Sequence, residues 1–94
     1  MAETFKILEA PPSSFEDLKK AVAARKVTFP LRVENVARKV IACPELMAFE
    51  STPSIAECCG VSASTVMRFI AHIGFHDLGQ ARGIFRDELR RRVK

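Results

Sequence analysis

The clearest periodic signal in the chain is the run Val33, Val36, Ala37, Val40 and Ile41, spaced i, i+3, i+4, i+7 and i+8, with Glu34, Arg38 and Lys39 between them. That alternation puts an apolar stripe on one side of a helix and charge on the other. Pro30 opens this helix and Pro44 closes it. Upstream, Phe15, Leu18 and Val22 recur at helical spacing behind Ser13 and Glu16, which match a capping box, and predict a helix over 14–26. Residues 1–12 carry a short apolar cluster (Phe5, Ile7, Leu8) ahead of Pro11-Pro12 and read as an N-terminal arm that is ordered only if it docks. Residues 13–94 form the remaining domain.

Downstream of Pro44, Glu45–Phe49 can form a single helical turn with Leu46 and Phe49 facing inward. Ser51-Thr52-Pro53 supplies a hydroxyl cap followed by proline in the first turn, where its missing N–H costs nothing. That helix stops at Gly60, a residue suited to the left-handed conformation. Ser62 caps the next helix, whose inner face is Val66, Phe69, Ile70 and Ile73 and whose stop is Gly74. A last helix from about Gly79 to Arg92 turns Ala81, Ile84, Phe85 and Leu89 inward. Asp87–Arg91 and Glu88–Arg92 are its i, i+4 ion pairs. The expected fold class is all-α, a helix-turn-helix bundle of about five helices around a homeodomain-like three-helix core.

Composition agrees with that reading and bounds it. With 94 residues there is room for one domain. The absence of Trp and Tyr and the low glycine content favour helices over a β-barrel. Charge adds a functional clue. Residues 1–59 hold eight basic and eight acidic side chains, while residues 60–94 hold seven basic against three acidic, so the whole net charge of +4 lies in the last third. Such an asymmetry is what a polyanionic partner selects, although a solvated basic helix has the same composition. Arg82, Arg86 and Arg90 form one stripe that reads either as a contact to a DNA backbone or as a solvated face.

Cys43, Cys58 and Cys59 have no metal-ligand spacing and read as small buried apolar residues in a reducing compartment. No signal segment and no run of about 18 apolar residues occurs, so the expected location is cytoplasmic, away from membranes. His72 and His76, the two histidines, have no partner at ligand or triad spacing. No phosphate loop or paired-carboxylate signature is present, so neither an enzyme, a metal site nor a cofactor is expected.

The segment 51–74 fills each role that a helix-turn-helix requires. Ala56 lets the second helix approach, Gly60 turns the chain, Val61 plugs the space beneath the turn, and Val66 and Phe69 pin the second helix. Its outward face is read as Ser62, Ala63, Ser64, Thr65, Arg68 and His72: short or hydrogen-bonding side chains that fit a major groove about 12 Å wide. Arg68 is expected to reach a base edge or a phosphate. Ser51, Ser62, Ser64 and Thr65 are candidate phosphate or base contacts; Ser62 has a plain N-cap as its competing role. Met67 is the one side chain on this helix that would suit a helical protein–protein or dimerisation module, the alternative function. RNA binding would want stacking aromatics that this face does not offer.

The stretch from about Phe29 to Arg90 resembles the N-terminal domain of RpiR-type transcriptional regulators. The resemblance is carried by Ala48-Phe49-Glu50-Ser51, Ser54-Ile55-Ala56, Gly60-Val61-Ser62, Ser64-Thr65-Val66-Met67-Arg68-Phe69 and Gly74-Phe75. Thr52 replaces a common aliphatic residue, Gly79 a common capping serine, and Cys58-Cys59 a common alanine pair. The resemblance implies sequence-specific binding of double-stranded DNA and control, as repressor or activator, of sugar or phosphosugar metabolism genes. It also implies a phosphosugar effector acting only through a sugar isomerase (SIS) domain that this chain does not contain, so the chain reads as the DNA-binding portion of a longer protein. One recognition helix reads few base pairs, and two half-sites are therefore expected to be bound by a homodimer, joined through its N-terminal helices or, in a longer protein, mainly through the absent domain.

Overall fold

The computed structural model describes residues 5–93. Six helices and no strand occur among them: α1 (Phe15–Ala23), α2 (Leu31–Ala42), α3 (Glu45–Phe49), α4 (Thr52–Cys59), α5 (Ala63–His72) and α6 (Leu78–Arg92). The all-α expectation is therefore met.

Helix starts follow local hydrogen-bonding chemistry. Ser14, Ser51, Ser62 and Asp77 each turn a side-chain oxygen back to accept the backbone N–H three residues on, at 2.9–3.3 Å. Two of these differ from the sequence reading. The α1 cap is Ser14 and not Ser13, whose hydroxyl instead donates to the Asp17 carboxylate. The α6 cap is Asp77, and Gln80 completes it by accepting the N–H of His76 at 3.0 Å, so α6 starts one residue earlier than expected.

Helix ends repeat one device. The bonds Lys26 N–H to Ala21 O, Val61 N–H to Ala56 O and Phe75 N–H to Ile70 O, at 2.9–3.1 Å, each close a six-residue loop over the last turn. The pivots are Arg25, Gly60 and Gly74, with φ of +58°, +68° and +91°. This is the left-handed termination that satisfies orphan carbonyls. Arginine at the first pivot hides the stop from the sequence: α1 ends at Ala23, short of the expected residue 26, with no glycine to mark the break.

The core has two connected halves. In one, α5 packs on α2 and α4 through Val36, Val40, Ile55, Val66, Phe69, Ile70 and Ile73, all fully buried. In the other, α6 lies against α3 and α1, with Phe15 and Phe85 edge to face at 5.5 Å. Met47 and Ala48 are the buried residues of α3 and Leu46 is half-buried, whereas Phe49, expected inside, is 62% exposed. Phe49 is instead covered on one side by the Arg86 guanidinium, 5.8 Å from its ring centre.

The arm docks. Lys6 N–H donates to the Thr28 hydroxyl (2.8 Å), Thr28 N–H donates back to the Lys6 carbonyl (2.9 Å), and Leu8 N–H donates to the His72 carbonyl (2.8 Å). Leu8 rests against the core. The part of the expected arm before Phe5 lies outside the described residues.

Candidate nucleic-acid interface

The turn between α4 and α5 is three residues, Gly60 to Ser62. Gly60 takes the left-handed conformation in open space, Val61 packs half-buried against the core, and Ser62 accepts the Thr65 N–H at 3.2 Å. Ala56, 5% exposed, lets α5 approach α4 closely. Each of these four residues does locally what the sequence reading asked of it.

The outward face of α5 is narrower than expected. Ala63, Ser64 and Arg68 are exposed, as read. Met67 and Ala71 are exposed too, so the free stripe is Ser64, Met67, Arg68 and Ala71, spaced i, i+3, i+4 and i+7. Ala71 was absent from the sequence reading, although that spacing alone points to it. Arg68 is in no ion pair among the described residues and its guanidinium is free to meet an anion.

Two expected contacts do not face outward. Thr65 is only 7% exposed, and its hydroxyl lies 3.0 Å from that of Ser62, closing the N-terminal turn. His72 is half-buried: Nδ1 donates to the Arg68 carbonyl (2.9 Å) and its ring packs on Phe29 at 5.7 Å. Both residues sit on the flank of the buried stripe, because Thr65, Phe69 and His72 are spaced i, i+4, i+7. Ser62 is exposed, with its oxygen engaged as the α5 cap. Ser51 likewise caps α4, accepting the Ser54 N–H at 3.3 Å with the Ser54 hydroxyl 3.1 Å away. It is exposed at the start of α4, not on α5.

The basic stripe of α6 matches neither of its two sequence readings in full. Arg82 donates to the Glu50 carbonyl and Arg86 to the Ala48 carbonyl (2.8 Å), so both guanidiniums satisfy the unpaired C-terminal end of α3. Arg90 alone matches the solvated reading, in an exposed pair with Asp87 at 2.9 Å. The expected Asp87–Arg91 pair is replaced. Arg91 and Arg92 both converge on Glu88, at 2.9 and 2.7 Å. These two guanidiniums, Arg91 first, hold the Glu88 carboxyl below its ordinary range against the opposing cost of its burial.

The cysteines also depart from expectation: Cys58 is exposed, while Cys43 and Cys59 are half-buried and all three are free thiols. Burial, then the neighbouring Cys58, pushes the Cys59 thiol up, with Lys39 opposing, so Cys59 stays protonated and weakly nucleophilic. No cluster of three or more His, Cys, Asp or Glu that could hold a metal occurs among the described residues. No helix among them is long and apolar enough to cross a membrane.

Comparison of the chain with family models, curated proteins and solved structures gives no match.

Proposed function

We propose that this chain is a sequence-specific DNA-binding domain of the helix-turn-helix type, with α5 as the recognition helix. The observation that carries the reading is the contrast between the two faces of α5. One is fully buried through Val66, Phe69, Ile70 and Ile73; the other ends in small side chains around an unpaired Arg68. A helix held from behind, short at its N-terminal end and armed with one free guanidinium is suited to entering a major groove. Ala63 and Ser64 lie nearest the groove floor, and Arg68 reads a guanine edge or holds a phosphate. Met67 offers an apolar contact of the kind a thymine methyl accepts.

The sequence resemblance to RpiR-type regulators supports the same reading and extends it to control of sugar or phosphosugar metabolism genes. In that scheme the protein is a cytoplasmic, non-enzymatic homodimer, and a phosphosugar effector acts through an SIS domain elsewhere in the regulator. The alternative, a helical interaction module, draws support from Phe49 and Leu31, which are 62% and 77% exposed.

The test is selection of binding sites from a randomised duplex pool, followed by anisotropy titration at two salt concentrations. Arg68→Ala is expected to lose about 1–3 kcal/mol of discrimination at one base pair, or to lower the salt slope by about one if it holds a phosphate. Arg90→Ala should leave affinity nearly unchanged. No enriched site and no binding at low salt, even with two copies covalently linked, would sink the proposal.

A further inference from the structure

The outer side of α2 carries a pattern that the chain's own core leaves largely open. Leu31, Glu34, Arg38 and Ile41 are spaced 3, 4 and 3 residues apart, the seam spacing of paired helices. Leu31 is 77% exposed and Ile41 half-buried, while Glu34 and Arg38 pair with each other at 2.8 Å with side chains 40% and 77% exposed. The exposed leucine at the first position of the helix buries little in its own chain. Beside this seam runs a groove of about 790 Å³, bounded by Ala37, Arg38 and Ile41 on one side and by Phe5, Val22 and Val27 on the other.

The seam is symmetric about residue 36. In an antiparallel pair of α2 helices, Leu31 of one protomer meets Ile41 of its partner, and Glu34 of one meets Arg38 of its partner. Each contact occurs twice, as a two-fold interface demands. Apolar positions close the ends and opposite charges meet in the middle. The face is thus complementary to itself in both polarity and charge, and a parallel arrangement would instead oppose Glu34 to Glu34 and Arg38 to Arg38.

We infer that the α2 seam, with its flanking groove, is the surface through which two copies of this chain associate as an antiparallel pair. Leu31 of each copy enters the end of the groove on its partner. The paired helices are only 12 residues, about 18 Å, long. The contact therefore falls at the small end of specific interfaces, and association is weak and concentration-dependent. This surface is independent of the α5 face, so its test needs no DNA.

Sedimentation equilibrium over a wide concentration series measures it. The wild type should shift from monomer to dimer. Glu34→Arg and Arg38→Glu, each placing like charges opposite one another, should weaken the dimer at least about tenfold. The double variant E34R/R38E restores opposite charges across the two-fold axis and should return dimerisation to near the wild-type level. Leu31→Lys should abolish the dimer while leaving the melting temperature unchanged, because Leu31 buries little in the monomer. A wild type that stays monomeric throughout overturns the assignment. So does a dimer indifferent to all four variants, which would point to another surface. A double variant as impaired as the single ones would also overturn it, and so would an equimolar mixture of the two single variants that fails to recover dimerisation, since that mixture restores opposite charges between protomers while the pair within each helix stays broken.

Discussion

Helices α5 and α6 both carry arginine on their outward sides, yet the two faces are in opposite states. On α6, Arg82 and Arg86 are bonded to carbonyls at the end of α3, Arg91 and Arg92 converge on Glu88, and Arg90 leans on Asp87. On α5, the lone Arg68 is in no ion pair among the described residues. The five arginines of one helix are thus each already engaged, whereas the one on the other is not, even though α6 keeps the larger net charge. The density of basic residues marks where positive charge is, but only the hydrogen-bond inventory shows whether it is already occupied.

Several substitutions would break or sharpen this contrast. The largest effect is expected from Arg86→Ala, which leaves the Ala48 carbonyl without its donor and uncovers Phe49. A loss of about 2 kcal/mol in urea unfolding would fit an unsatisfied, partly buried carbonyl. No measurable change would mean that α3 is held by burial of Met47 and Ala48 alone.

Glu88→Gln should cost less, about 1 kcal/mol at neutral pH, because its partners Arg91 and Arg92 have side chains 66% and 47% exposed and are screened by solvent. Its pH dependence has a definite sign. A carboxyl held below its ordinary value of 4.5 contributes stability that is complete above that value and is lost as pH falls through the lower, folded one. The wild type and Glu88→Gln should therefore differ at pH 7 and converge in acid. Parallel curves down to the lowest pH would show that the two guanidiniums do not hold the carboxyl down.

Smallest of all, Arg90→Ala and Arg68→Ala should each change stability by under about 0.5 kcal/mol. Arg68→Ala then separates from Arg90→Ala only when duplex DNA is added. If Arg68→Ala unfolds the domain, the side chain is structural and the contrast between the two helices disappears.

Much of this organisation was legible in the residue pattern. The buried stripes of α2 and α5 follow from long, regular periodicity, and Ser51, Gly60 and Ser62 announce their turns by chemistry. What escaped did so for physical reasons. Helix α3 has five residues, too few to fix the phase of its inward face, and packing against α6 chose Met47 and Ala48 over Phe49. The stop after α1 was hidden because Arg25 occupies a left-handed pivot that glycine normally marks. Thr65 and His72 read as outward because each is polar, yet the spacing that buries Phe69 draws both towards the core. Their placement shows that the period outranks polarity when a polar side chain can bond within its own turn.

Gly74 connects parts of the chain that the sequence keeps far apart. A Cβ built on it would sit 2.8 Å from the Pro11 nitrogen and 2.9 Å from the Ala10 carbonyl carbon, over and above the strain of its φ of +91°. The end of α5 can therefore accept the arm only while position 74 has no side chain. Positions 10, 11 and 74 form a single steric unit: a chain that lacked the arm would be released from part of the glycine requirement. One that gained a side chain at 74 would have to move its N-terminus off α5, freeing the His72 carbonyl and the surface beneath Leu8 for something else.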